Sequence, residues 1–304
     1  MAHTNWPVFE HDGCYFIDRF HDIDAVKERR IDRWDIRDDD VIIQTFPKSG
    51  TLWMLHAVSQ MYDNLNWKLK PVDRVARPGV WFEKTDSVPG LYGSMVKAVK
   101  STFHEMQSPR LMICHVPQQF FHTSWRKGNR KCKIIHVTRN PKDVCVSSFK
   151  FFQSLQFIEM HLTWEEWVKA FVEGQVPFGP WLDNVWGWNQ FGLEDNVLHV
   201  TFEDMKRDLK SVLVKVADFL ERPLSDDMLD HVVSQCSLDA MRASQTDVQT
   251  LAIRDEGTSR ENMKFLRKGE VGDWKYHFTV AQNEYFDKKI TAEANKLGLQ
   301  LQYE

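Results

Sequence analysis

A single α/β domain built on a central, mainly parallel β-sheet flanked by helices is the fold class this sequence predicts. Two observations carry that expectation. Four short apolar runs, VIIQTF (41–46), LMICH (111–115), KIIHVT (133–138) and VLHVTF (197–202), have the length and composition of buried strands. Stretches with helical spacing lie between them, and strands that alternate with helices imply a parallel sheet covered on both faces.

The elements follow in order. LWMLHAVSQMY continues the first run as a helix, and VCVSSFKFF does the same for the third. A capping box, Thr163 to Glu166, opens a helix at TWEEWVKAF that stops near Gly174. DLKSVLVKVADFL (208–220) is amphipathic. No repeat, low-complexity segment or Gly/Ser linker divides the chain, so one domain over residues 1–304 is expected. Sheets of this kind bind ligands at the carboxyl ends of their strands.

Composition narrows the function. The chain carries 39 Lys plus Arg against 43 Asp plus Glu, which argues against nucleic acid as a partner while leaving room for a local basic pocket. The five cysteines include no CxxC pair, so neither a disulfide framework nor a structural zinc site is indicated. The opening MAHTNWPVFEHDG lacks the pattern of a signal peptide, and no apolar run is long enough to span a membrane. A soluble cytoplasmic protein is expected.

The chemistry concentrates at strand ends. After the first run, Pro47 starts a turn and Lys48, Ser49, Gly50 and Thr51 stand where a helix begins. Glycine lets backbone N–H groups close around an anion, and the helix terminus and the lysine add positive charge. The order differs from the ATPase loop G-x-x-x-x-G-K-[ST], because lysine comes first and no earlier glycine precedes it at the required distance. Taken alone, the turn equally fits a plain helix start with Thr51 as cap and Lys48 solvated. A similar junction follows the third run: Arg139 ends the strand, Asn140 suits N-cap, Pro141 N1 and Asp143 N3, with Ser147 on the helix. A third cluster, FLRKGEVGDWK (265–275), sets Arg267 and Lys268 beside Gly269.

Together these segments resemble the cytosolic sulfotransferases over roughly residues 36–290. PKSGT-x-W (47–53) resembles that family's 5′-phosphosulfate loop, a P-loop-like cradle of Lys48, Ser49, Gly50, Thr51, Leu52 and Trp53. RNPKDVCVS (139–147) resembles its 3′-phosphate motif through Arg139 and Ser147, and RKG-x-x-GDWK (267–275) its carboxyl-terminal signature through Arg267, Lys268 and Gly269. The resemblance implies 3′-phosphoadenosine 5′-phosphosulfate (PAPS) as co-substrate, no metal, and Trp53 stacked on adenine. It also implies that His115, in the context H-x-P, is the catalytic base, that Lys48 stabilises the departing phosphate, and that Ser147 restrains Lys48 until an acceptor arrives. Lys275, Thr279, Val280 and Glu284 resemble the family's homodimer motif.

The expected acceptor is a small hydrophobic alcohol, phenol, steroid or amine. Trp81, Phe82, Phe149, Phe151 and Phe152 are pocket candidates that fit core packing as well, and segments 84–100 and 244–264 have the composition of lid loops. Some positions depart from the family pattern. Ile113 replaces a lysine common in phenol-transferring members. Phe202 replaces a tyrosine, and Cys236 and Leu238 stand where Thr or Ser and Phe usually frame adenine. The alternatives are a catalytically impaired relative that still binds the nucleotide, and a P-loop nucleotide kinase.

Overall fold

The structure is a computed structural model. It describes residues 8–17, 21, 24, 27, 36–62, 80–81, 105, 108–120, 132–154, 160–191, 194–245 and 266–304. Strands β3 (Val41–Thr45), β4 (Val80–Trp81), β5 (Leu111–Cys114), β6 (Lys133–Thr138) and β7 (Val197–Thr201) form one sheet in the order β4-β5-β3-β6-β7. All its pairings are parallel, as the alternation of strands and helices requires. Three strands end one residue earlier than their apolar runs, which leaves Phe46, His115 and Phe202 in the connections at the carboxyl edge.

Both faces are covered. Val41, Ile43, Leu111, Ile113, Ile135 and Val137 point to one face and pack with Met54 and Val58 of α1 (Thr51–Met61). Leu213 and Val216 of α6 (Leu209–Phe219) and Val232 of α7 (Asp226–Gln235) complete that layer. Ile42, Met112, Cys114 and Ile134 point the other way. They meet α2 (Pro141–Ser154), α3 (Trp164–Val172) and α4 (Trp181–Asn189), whose Trp167, Trp181 and Trp188 are fully buried. The capping box at Thr163 and Glu166 is present and starts α3. Helices α5 (Phe202–Arg207) and α8 (Leu238–Gln245) flank the site described below. Helices α9 (Val280–Phe286) and α10 (Ala292–Lys296), joined by a π-helical turn at Asp287–Thr291, close the chain.

At the amino edge of the sheet, Arg110 Nη2 donates to Asp40 Oδ2 at 2.5 Å with both side chains buried, which ties the starts of β3 and β5 together. Outside the main sheet, β1 (Val8–His11) and β2 (Cys14–Ile17) form an antiparallel hairpin. Its two-residue turn has Asp12 at φ 49° and Gly13 at φ 74°, the double positive φ that matches strand twist. The hairpin hangs on residues 177–178 through a Phe178 N–H bond to the Tyr15 carbonyl (2.8 Å). Segment 84–100 and, of segment 244–264, residues 246–264, both expected as lid loops, lie outside the described residues, as does Phe82, while 244 and 245 end α8; Trp81 lies in the edge strand β4.

Candidate active site

Four strand ends converge. Lys48 follows β3, His115 follows β5, Arg139 follows β6 and Phe202 follows β7. The registers Gln44↔Cys114, Thr45↔Val137 and Thr138↔Thr201 bring those ends level at the carboxyl edge.

The turn after β3 is an open cradle. Lys48 adopts φ 72°, and Gly50, at φ 109°, caps α1. No side chain caps the helix and no acidic residue stands in its first turn, so its leading N–H groups keep their charge and their need for an acceptor. Among the described residues, the buried Ser49 hydroxyl has no hydrogen-bond partner, and neither does the Trp53 indole N–H. A Cβ on Gly50 would lie 3.0 Å from Phe202 Cδ2, so any other residue would press on that ring and also strain the positive φ. Thr51 is the first helical residue and not the cap. Its Oγ1 lies 2.7 Å from Thr45 Oγ1. This excludes the plain reading in which Thr51 caps a helix beside a solvated lysine.

Lys48 is half-buried, with its ammonium 4.4 Å from the centre of the Phe151 ring. Burial, followed by the charges of Arg139 and Arg267, lowers its pKa to about 7. Ser147 lies one helical turn before Phe151 on α2 and so on the same helix face.

His115 is buried, and the edge of its ring packs on Phe178 at 5.4 Å. Its Nδ1 lies 2.7 Å from the Thr45 carbonyl oxygen and 3.1 Å from Thr45 Oγ1. A carbonyl can only accept, so Nδ1 carries the proton and Nε2 presents a lone pair. Asn184 on α4 donates to the His115 carbonyl at 3.1 Å and fixes the backbone.

The second anion region is built on buried carboxylates. Arg139 is 7% exposed. It donates to the Lys48 carbonyl at 3.3 Å and to the Glu270 carbonyl at 2.7 Å, while its buried Nε has no partner among the described residues. Asn140 caps α2 as expected, its Oδ1 accepting from the Asp143 N–H at 2.8 Å. Asp143 in turn accepts the N–H groups of Gly272 and Trp274, each at 2.9 Å, and so holds the 267–275 loop against α2. Glu203 Oε1 accepts from the Asn140 N–H at 3.0 Å. Asp273 takes Arg267 at 2.5 Å and Lys268 at 2.6 Å. Burial pushes its carboxyl up, but the hydrogen bonds and charges of Lys268 and Arg267 outweigh that and hold it down at about 2.

Of the remaining sequence-derived candidates, Phe202 packs edge-on against Trp53 at 5.4 Å. Cys236 is buried in the core layer at the end of α7, where burial drives its thiol up to about 12. Leu238 begins α8 and is half-buried. Phe149 and Phe152 pack on Trp167 in the core, so of the three phenylalanines on α2 only Phe151 reaches the cradle. Sequence reading missed Thr45, Asp273, Phe178 and the bridging role of Asp143. Asp273 lies inside the 267–275 motif and Thr45 two residues before the 47–53 motif, and that placement was the available signal.

A family model described as "Sulfotransferase domain" matches residues 38–298. This chain belongs to the sulfotransferase family. Sulfotransferase 1 family member D1 of rat (Rattus norvegicus) is 34% identical over 275 residues, covering 90% of each chain. The amine sulfotransferase of rabbit (Oryctolagus cuniculus) is 34% identical over 300 residues, covering 98% of this chain and 94% of its own. Among solved structures, mouse sulfotransferase SULT7A1 complexed with PAP superposes with a TM-score of 0.72 at 25% identity, covering 94% of each chain. A retinol dehydratase in complex with androsterone and inactive cofactor PAP shares the fold, with a TM-score of 0.80 at 17% identity over 97% of this chain and 92% of its own. A sulfotransferase moves a sulfuryl group, and membership removes the support for a nucleotide kinase. Among the described residues no helix is long and apolar enough to cross a membrane.

Proposed function

We propose that this sulfotransferase carries a sulfuryl group from PAPS to the hydroxyl or amine of a small hydrophobic acceptor, with His115 as base. The observation that supports it most is the set of buried donors with no partner among the described residues, Ser49 Oγ, Trp53 Nε1 and Arg139 Nε, beside a helix terminus with no side-chain cap. Donors left unsatisfied in the protein alone fit an anionic ligand that satisfies them. The mouse relative's complex with PAP supports the nucleotide.

When bound, the nucleotide supplies the sulfuryl group and leaves as adenosine 3′,5′-bisphosphate. The N–H groups and hydroxyls of Ser49, Gly50, Thr51 and Leu52 hold the phosphosulfate end. Arg139, Ser147, Arg267, Lys268 and Gly269 hold the 3′-phosphate, and Trp53, Phe202, Cys236 and Leu238 lie on the adenine side. His115 Nε2 takes the proton of the attacking hydroxyl as the acceptor O–S bond forms and the S–O bond to the phosphate breaks; base assistance of this kind is worth roughly 10²–10⁴ in rate. Lys48 stabilises the charge left on the phosphate oxygen. Ser147 and Phe151, on one face of α2, hold the Lys48 ammonium in reserve until then. Ile113 lies in the apolar core, so His115 works without the second lysine of phenol-transferring members. The rabbit relative is an amine sulfotransferase, which supports amines among the acceptors.

Cytoplasmic location and a homodimer complete the reading. Val280 is 76% and Tyr276 84% exposed, and Glu284 is exposed beside them, an apolar surface of the kind a second copy covers. Thr279 caps α9, and Lys275 pairs with Glu304.

Incubation with ³⁵S-labelled PAPS and a panel of alcohols, phenols, steroids and amines tests the assignment, and label is expected in at least one acceptor. Nucleotide binding without transfer to any of them would instead identify a catalytically impaired relative.

A further inference from the structure

Three side chains join the phosphosulfate cradle to the base. Thr51 Oγ1 is 2.7 Å from Thr45 Oγ1, which is 3.1 Å from His115 Nδ1, and Thr45 and His115 are buried. Donation can run in one direction along all three groups. His115 Nδ1 is a donor, because its nearest neighbour is the Thr45 carbonyl at 2.7 Å. Thr45 Oγ1 can then accept from Nδ1 and give its own hydrogen to Thr51 Oγ1, the direction on which the relay depends. The Thr51 hydroxyl hydrogen is then left for whatever the cradle holds, and that residue keeps 6% exposure at the start of α1.

We infer that Thr45 is a positioning residue whose hydroxyl relays a hydrogen-bond chain from the cradle to His115, so that an anion in the cradle makes His115 Nε2 a stronger base. The inference rests on the nucleotide site proposed above. An anion accepting from Thr51 polarises that hydroxyl, which pulls harder on the Thr45 hydrogen, and Thr45 in turn draws harder on Nδ1–H. A more strongly donated Nδ1–H leaves more electron density on Nε2. The base is thereby strengthened when the sulfuryl donor is in place, and the Thr45 carbonyl keeps the tautomer fixed whether or not the cradle is filled.

The test uses the whole chain labelled with ¹⁵N-histidine, following the Nδ1–H proton resonance of His115, assigned by its absence in His115→Ala. Adenosine 3′,5′-bisphosphate together with inorganic sulfate is added to the wild type, Thr45→Val and Thr45→Ser. Valine keeps the carbonyl and the branched shape but removes the relay, and serine keeps the hydroxyl. The resonance is expected to move downfield on nucleotide binding in the wild type and in Thr45→Ser, and to stay in place in Thr45→Val. Turnover of Thr45→Val should fall about tenfold, the worth of one hydrogen bond, with nucleotide affinity changed less than about threefold. A bound nucleotide that leaves the wild-type resonance unmoved overturns the relay, and the wild-type measurement requires no variant to fold. An equal shift in Thr45→Val does the same, because the carbonyl alone would then account for it. Failure of the wild type to bind the nucleotide at all would remove the site assignment, and the relay with it.

Discussion

The guanidinium of Arg139 stands 4.2 Å from the centre of the Phe202 ring. Phe202 lacks the hydroxyl of the usual tyrosine, yet its face orients the buried arginine proposed to hold the 3′-phosphate. Phe202→Leu removes that face, and a desolvated cation–π contact is worth roughly 0.5–2 kcal/mol, so affinity for adenosine 3′,5′-bisphosphate should fall about 3- to 30-fold. Phe202→Tyr keeps the ring and should bind at least as well as the wild type. Calorimetric titration of both variants decides it, and equal binding by the leucine variant refutes the stacking role.

Lys48 gives the free protein a pH-dependent grip. Its pKa is lowered to about 7 by burial and by Arg139 and Arg267, and a bound anion restores a higher value. A group whose pKa rises on binding takes up a proton, so affinity is level below about pH 7 and falls above it, approaching tenfold per pH unit until the bound pKa is reached. Titrations in buffers of different ionisation enthalpy should show proton uptake near neutral pH. Lys48→Met should bind more weakly and lose this slope; a slope that survives the substitution belongs to another group.

The strands and the three segments that meet at the carboxyl edge of the sheet were legible because each is a local pattern: apolar runs, a glycine turn, a basic pair. The hairpin at 8–17 was legible too, through Asp12-Gly13 between apolar residues, but it went unassigned because that segment stands apart from the alternating strands and helices. What sequence could not give was partnership. Asp143 reads as an N3 residue of a helix, and only the fold shows its carboxylate crossing to amides at 272 and 274. Thr45 reads as the last residue of a strand, and its link to His115 exists only because β3 and β5 are neighbours.

That crossing by Asp143 makes it a structural keystone of the 267–275 loop. Asp143→Ala strands two backbone N–H groups and removes the carboxylate 3.5 Å from Arg139, and losses of this kind cost about 3 kcal/mol or more. Asp143→Asn keeps one acceptor and should lose less. Urea midpoints of the two variants rank them, and a midpoint for the alanine variant within error of wild type would contradict the assigned role.

For His115, geometry separates chemistry from binding. Its ring is held by Thr45 and by the packing of Phe178, and none of these contacts is to a backbone N–H of the cradle turn. His115→Ala should therefore lose at least about 100-fold in turnover while nucleotide affinity stays close to wild type. Unchanged turnover would refute the base; lost binding would make the histidine a structural support of the cradle.

Gly50 and Phe202 should be energetically coupled, because the backbone of one lies against the ring of the other. Gly50→Ala places a side chain at φ 109°, outside the region that L residues favour, at roughly 1–2 kcal/mol. Its Cβ would also press on Phe202 at 3.0 Å. A smaller residue at 202 relieves the second cost but not the first. The double variant Gly50→Ala/Phe202→Leu should therefore destabilise the protein by less than the sum of the two single changes, with a coupling of about 0.5 kcal/mol or more. Thermal or urea unfolding of the four proteins in the cycle measures this. Strict additivity would mean that the ring moves aside at no cost, and that the glycine is required at this turn for its backbone conformation alone.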